Sequence, residues 1–189
     1  MMHESVMNFV EECCEIIRPA GSRVVEIGSR NINGTPRSVL AKYQVEYTGI
    51  DMEAGPDVDI VHDCTQLVLP NINGKSEYFW DFVELVLCCE VLEHVEKWDW
   101  MVAGLKRMLN LPGSWLILTT RSPGFPRHEF PNDFWRFKQS DLLIAFMDFE
   151  ILRLESDPQV SGVFLLARRP LVRLSDVHPE SAPMEAPKI

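Results

Sequence analysis

Long apolar runs are missing from this sequence: no stretch reaches the roughly 18 apolar residues of a membrane-spanning helix, so no span is predicted. Positive charge is scarce. The 18 Lys and Arg are outnumbered by 28 Asp and Glu, and a net charge of −10 excludes a general nucleic-acid binder, whose phosphate partner demands a basic surface. The exceptions are local: Arg121, Arg127, Arg136 and Lys138, and the pair Arg168-Arg169. The five cysteines are odd in number, and Cys13-Cys14 and Cys88-Cys89 form adjacent pairs beside a lone Cys64, with no C-x-x-C spacing. That excludes a readable zinc site or disulfide framework and leaves reduced, buried thiols of a cytoplasmic protein, with no metal expected. The segment up to Ile17 carries Glu4, Glu11, Glu12 and Glu15 and no early Lys or Arg, so it lacks the basic lead and unbroken apolar run of a secretory signal. No internal repeat is visible.

What remains is the composition of an ordinary globular domain, 46% apolar and 24% charged over 189 residues, enough for one sizeable core. Val6, Phe9, Val10, Cys13 and Ile17 recur at helical spacing, and Arg18-Pro19-Ala20-Gly21 breaks them off. Residues 1–20 therefore read as an N-terminal helix packing on a domain that spans 21–169. In that domain, strands predicted at 24–27, 45–51, 58–62, 82–89 and 115–120 alternate with helices at 35–43 and 90–109, and Asn71-Ile72-Asn73-Gly74 forms a turn. Pro36 suits the first turn of the earlier helix, and Leu111-Pro112-Gly113 stops the later one. A short helix follows at 140–147 with Ser140 as N-cap, then an antiparallel pair at 149–155 and 163–167. From Pro170 the composition turns polar and proline-rich, which predicts a disordered tail over 170–189. The expected fold class is α/β: a Rossmann-like, doubly wound, mostly parallel seven-stranded sheet with a C-terminal antiparallel hairpin.

The chemistry-bearing residues sit at the ends of those strands. Arg23-Val24-Val25-Glu26-Ile27-Gly28 is an apolar strand running into a glycine turn, and Gly49-Ile50-Asp51 ends the second strand in an acid. Open α/β sheets use that pairing to place backbone under a nucleotide-type ligand and a carboxylate on its ribose diol. A glycine admits close approach without a Cβ clash, and an ionised Asp offers a bidentate acceptor. Asp63, and Glu90 after Leu87-Cys88-Cys89, stand at the ends of later strands, so Glu26, Asp51, Asp63 and Glu90 make an acid-rich edge suited to a cationic ligand.

Taken in order, Val24-Val25-Glu26-Ile27-Gly28, Gly49-Ile50-Asp51, His62-Asp63-Cys64, Cys88-Cys89-Glu90-Val91-Leu92-Glu93-His94 and Leu111-Pro112-Gly113-Ser114-Trp115 resemble the class I S-adenosylmethionine-dependent methyltransferases over about residues 20–168. The nearest likeness is to small methyltransferase-domain proteins with Pro123-Gly124-Phe125-Pro126 followed by Phe134-Trp135-Arg136-Phe137. The resemblance implies S-adenosyl-L-methionine as cofactor, with Glu26, Ile27, Gly28 and Ser29 along its amino-acid and ribose side. It puts Asp51 on the ribose hydroxyls, Met52 beside the adenine, Asp63 and Cys64 at the adenine edge, and Cys88, Cys89 and Glu90 near the methionine moiety and the methyl group, with His94 a further candidate cofactor contact. One departure stands out: Arg30 occupies the place of the second glycine, and the next glycine is Gly34. No Gly-Lys-Ser/Thr follows, which rules out a Walker A loop.

Other residues keep two readings. His94 is either a structural hydrogen-bond partner or a ligand contact, and Asp51 is a turn cap or the ribose acceptor. Glu93 and Glu96 read as a solvated face, Trp98 and Trp100 as packing, and Glu84 as an edge or capping residue. Cys89 has no base paired with it at a readable spacing, so it is not read as a nucleophile. If the acceptor must lose a proton, His128 and then Asp133 and Glu129 are the candidate bases. Arg127, Trp135 and Arg136 either bind the acceptor or brace the aromatic loop over 121–137. The absence of an Asn-Pro-Pro-Tyr-type tetrapeptide after strand four, with the acidic balance, favours a small-molecule acceptor such as a sugar or other metabolite. Rival readings are a non-catalytic cofactor-binding module and a nicotinamide-dependent oxidoreductase.

Overall fold

The computed structural model describes residues 3–66, 83–127 and 132–171. The turn expected at Asn71–Gly74, the candidate base His128 and the tail from residue 172 lie outside the described residues. The helix α1 (Glu4–Ile17) buries Val6, Phe9, Val10, Cys13 and Cys14. It ends where Arg18 turns left-handed at φ 53° and Pro19 follows. Strands β1 (Arg23–Ile27), β2 (Glu46–Asp51), β3 (Ile60–Val61), β4 (Leu85–Cys89), β5 (Trp115–Arg121), β6 (Glu150–Ser156) and β7 (Gly162–Arg168) form one sheet in the order β3-β2-β1-β4-β5-β7-β6. The first five are parallel; β7 runs antiparallel between β5 and β6. The expected architecture, including the terminal hairpin, is what the chain adopts.

Two apolar layers sandwich the sheet. On one face α3 (Trp98–Met108) and α4 (Gln139–Ala145) cover Val25, Ile27, Val86, Cys88, Leu116 and Leu118. On the other, α1 and α2 (Arg37–Leu40) cover Val24, Leu85, Leu87, Cys89 and Ile117. Alternate residues of β1 and β4 thus serve opposite layers, and β4 is buried along its whole length. The cysteines are free thiols, and burial pushes Cys13 up to about 12.

Several boundaries differ from the sequence pattern. The helix expected from residue 90 begins only at Trp98, because Glu90 takes a left-handed conformation (φ 59°) and Leu92–His94 is a 3-10 turn. Glu93, expected to face solvent, is 1% exposed. The later helix is capped at Lys138, whose backbone N–H donates to the Asp141 carboxylate at 2.7 Å, so Ser140 lies inside it. Trp98 packs edge-on against Phe137, whereas Trp100 is half exposed beside Lys97. Glu84 caps β1: its Oε2 accepts the Arg23 N–H at 2.9 Å.

Candidate functional site

The strand order reverses between β1 and β4, and open sheets bind ligands in the crevice outside the carboxyl ends at such a reversal. Gly28 ends β1 at φ +79°, and an added Cβ there would overlap Val91 Cγ2. Only a residue without a side chain lets the β1 turn touch the β4 turn. The Gly28 and Ser29 N–H groups both donate to Ile50 O, at 2.8 and 3.0 Å, tying that turn to β2. Gly49 is held as tightly, since a Cβ would overlap Asp57 O and Ser29 Oγ. The Ser29 hydroxyl is buried and has no partner among the described residues.

Asp51 stands at the end of β2. Its Oδ2 accepts the Arg30 N–H at 3.1 Å and its Oδ1 the Glu53 N–H at 3.0 Å, leaving each oxygen a lone pair. The longer loop that replaces the second glycine is laced to the loop after β2. Arg30 pairs with Glu53, Asn31 N donates to Pro56 O at 3.0 Å, and Asn31 Nδ2 donates to Asp57 at 2.8 Å. Met52 is 70% exposed at the same edge. Asp63 accepts Thr65 N–H and hydroxyl, each at 2.8 Å, and hydrogen bonds from Thr65 and Gln66 hold its carboxyl down against the opposing effect of burial. Cys64 packs against the core, where burial pushes its thiol up to about 12.

Glu26, Ile27, Cys88 and Cys89 reach this edge with backbone, because their side chains are buried in the two layers. The Glu26 carboxylate accepts the hydroxyls of Tyr47 and, at 3.2 Å, Thr35. Burial pushes it up to about 7 despite those bonds.

Beyond β4 and β5 lies a charged centre that the sequence patterns did not single out. Arg121, 4% exposed, pairs with Glu90 and, at 3.3 Å, with Asp157, and its guanidinium lies over the Phe125 ring. Glu90 Oε1 also accepts the Thr119 hydroxyl at 2.9 Å, and Glu93 Oε2 accepts that of Thr120 at 2.8 Å. Both glutamates are held above the ordinary carboxylate range, first by burial; mutual repulsion adds to it at Glu90 and Asp133 adds to it at Glu93, against the pull of Arg121. The only advance signal was local: two threonines and an arginine closing an apolar strand, and Glu93 one helical turn past Glu90.

The segment after residue 131 is strapped to the β4 turn. Phe134 and Trp135 N–H donate to Glu93 O at 2.9 and 3.2 Å, Trp135 Nε1 to Glu96 O at 3.1 Å, and His94 Nδ1 lies 2.8 Å from Asn132 O. Burial lowers the His94 pKa. Arg136 pairs with Asp133 and donates to Phe125 O and Pro126 O at 3.1 and 2.9 Å, while Arg127 donates to Phe134 O at 3.0 Å. Trp135 remains 40% exposed.

Neither a family model nor a curated protein sequence matches the chain. Solved structures do. A 1,6-didemethyltoxoflavin-N1-methyltransferase of Burkholderia thailandensis, with 1,6-didemethyltoxoflavin and S-adenosylhomocysteine bound, superposes with a TM-score of 0.67 at 12% identity, over 88% of this chain and 79% of that one. An S-adenosylmethionine-dependent methyltransferase from Aquifex aeolicus gives 0.61 at 12% identity, over 88% and 94%. The chain has the class I methyltransferase fold. That fold is shared by the [4+2]-cyclase SpnF, at a TM-score of 0.65, 16% identity and coverage of 88% and 81%. A class I fold therefore does not by itself specify methyl transfer. Among the described residues no helix is long and apolar enough to cross a membrane, and no cluster of His, Cys, Asp and Glu could hold a metal.

Proposed function

We propose that the protein binds S-adenosyl-L-methionine across the carboxyl edge of β1, β2 and β4 and transfers its methyl group to a small-molecule acceptor. The carrying observation is the placing, at and beside the point where strand order reverses, of a glycine turn that excludes any side chain, a carboxylate with free lone pairs, and the partly exposed acid Glu90. The donor set fits the cofactor: a diol acceptor at Asp51 and acidic surroundings for a cation at Asp51, Asp63 and Glu90. When bound, the cofactor supplies an already activated methyl group, so the chain's task is alignment and exclusion of water.

Asp51 would accept the ribose hydroxyls, Met52 would cover the adenine, and Asp63 with Cys64 would border its edge. Backbone of Glu26, Ile27, Gly28, Ser29, Cys88 and Cys89 would line the remainder, with Glu90 and His94 on the methyl side. The acceptor would lie beside Glu90, against Trp135. Asp133 is buried in its pair with Arg136, which turns the proton-accepting role toward Glu90 or His128. Arg127 and Arg136 are engaged by main-chain oxygens, which disfavours an anionic acceptor.

The fold shared with a cyclase keeps a second reading alive, in which the cofactor is bound without methyl transfer. A nicotinamide cofactor is disfavoured because Arg30 stands where a pyrophosphate needs a bare backbone. Calorimetric titration with S-adenosylmethionine, S-adenosylhomocysteine and NAD, on the native protein and Asp51→Ala, tests the reading. Binding of the first two that weakens about 100-fold in the variant supports it; preference for NAD, or no binding of either sulfur compound, sinks it.

A further inference from the structure

Three carboxylates and one guanidinium meet behind the proposed methyl site, and their charges do not balance. Arg121 is shared by Glu90 and Asp157. Glu93 has no Lys or Arg within ion-pair distance among the described residues; its one nearby nitrogen base is His94, 4.0 Å away, whose pKa burial lowers. The groups around Glu90 come from every neighbouring element. They are Thr119 and Arg121 on β5, Glu93 and His94 on the 3-10 turn, Asp157 between β6 and β7, the Asp133–Arg136 pair on the loop, and the buried thiols of Cys88 and Cys89. His3, ahead of α1, sits edge-on to Phe125, which lies under Arg121. Arg136 is neutralised by Asp133, so it brings no net charge to the cluster.

Buried acids in excess of their cations are relieved by hydrogen bonds to the charged form, by keeping a proton or by gaining an external positive charge, and Glu93 accepts such a hydrogen bond from the Thr120 hydroxyl. The exposures say where that charge could enter: the Asp157 side chain is 0% exposed and Glu93 1%, whereas Glu90 is 17% exposed at the crevice. The left-handed backbone of Glu90 (φ 59°), rare for a residue with a side chain, holds its carboxylate at this junction.

Resting on the cofactor reading above, we propose that the acid cluster around Arg121, which opens to solvent at Glu90, holds a proton in the free protein and releases it to solvent when a sulfonium enters beside Glu90, so that the site distinguishes the cationic methyl donor from its neutral thioether product. The arriving positive charge takes the place of the proton, and no covalent bond other than the carboxyl O–H is broken. Glu90 is then the residue that sets donor-over-product preference, with Glu93 and Asp157 acting through it across Arg121.

The test is calorimetric binding of S-adenosylmethionine and of S-adenosylhomocysteine at pH 7 to the full chain. Titrations run in phosphate, HEPES and Tris of equal ionic strength with a chelator present, and the buffer dependence of the heat gives the protons exchanged. The donor is expected to release on the order of half a proton or more per site and the product close to none. In Glu90→Gln the release should fall below half of the native value, and the donor-to-product affinity ratio should drop about tenfold. Equal proton exchange for the two ligands in the native protein overturns the proposal without needing any variant. So does a Glu90→Gln protein that keeps the full difference. Failure of both ligands to bind would instead remove the cofactor reading on which the proposal stands.

Discussion

The two halves of the carboxyl edge are built in opposite ways. The β1–β2 half is local and wet: Gly28, Asp51 and Met52 lie on two adjacent strand ends, and main-chain N–H groups hold the Asp51 carboxylate while leaving each oxygen a lone pair. The β4–β5 half is assembled from distant parts of the chain and is largely dry, with Glu93, Arg121 and Asp157 buried and only Glu90 partly exposed, drawn from the turn after β4, the end of β5 and the β6–β7 connection. Geometry of the backbone governs the first half, whereas charge balance governs the second. A substitution at Asp51 should therefore show first in ligand binding, and one at a buried charge first in pH-dependent stability.

The largest expected effect is in the dry half. Arg121→Met removes the cation shared by Glu90 and Asp157 and leaves buried acids uncompensated, at a cost of about 3–5 kcal/mol. Because Glu90 and Glu93 are already held above the ordinary carboxylate range, their protonated forms suit the fold, and the cost should shrink as pH falls from 8 to 5. Denaturant unfolding at both values checks this; an equal loss at each would show that packing on Phe125, not charge, is what Arg121 contributes.

Next comes Gly28→Ala, expected to cost about 3 kcal/mol from left-handed strain together with overlap on Val91. Adding Val91→Ala removes the overlap but not the strain, so the double variant should recover about half of the loss. No recovery would mean that the backbone angle alone demands glycine. The Glu26→Gln change should be smaller, on the order of 2 kcal/mol, and visible only on one side of a pH scale. Glu26 is pushed up to about 7 in the fold, so the native protein binds the extra proton and loses stability as pH rises from the ordinary carboxylate range to about 7. Relative to native, the Gln variant should gain stability across that window and match it below. A constant offset in thermal melting at pH 4 and pH 8 would contradict the assignment.

What the sequence made legible follows the same division. The sheet, its terminal hairpin, the glycine turn and Asp51 were readable because each obeys a local rule: an unbroken apolar run for β4, a glycine where no Cβ fits, an acid at a strand end. The turn after β4 was not. Val91 and Val95 continue the helical spacing of Val102 and Leu105, yet the chain there is extended and 3-10, fixed by tertiary bonds from Phe134 and Trp135 to Glu93 O. The same bonds explain why Glu93 is buried. Arg121 carries no periodic signal, and its partner Asp157 is recruited only because β7 returns beside β5. Partners chosen by topology leave no trace in spacing.

The smallest effect isolates environment from residue type. Arg23 and Glu46 pair at 3.0 Å across β1 and β2, the same Arg–Glu chemistry as Arg121 and Glu90, but at the opposite, amino end of the sheet. Their side chains are 55% and 73% exposed, so water already solvates both charges and salt screens them. Glu46→Gln should change unfolding free energy by less than about 0.5 kcal/mol, with no dependence on pH between 5 and 8 and no effect on ligand titrations. If it instead matched Glu90→Gln in pH dependence or in proton release, burial would not be the cause of the behaviour of the dry half. The charge argument for Glu90 would then lose its footing, because that argument rests on the exclusion of water from one pair and on the uncompensated acid beside it.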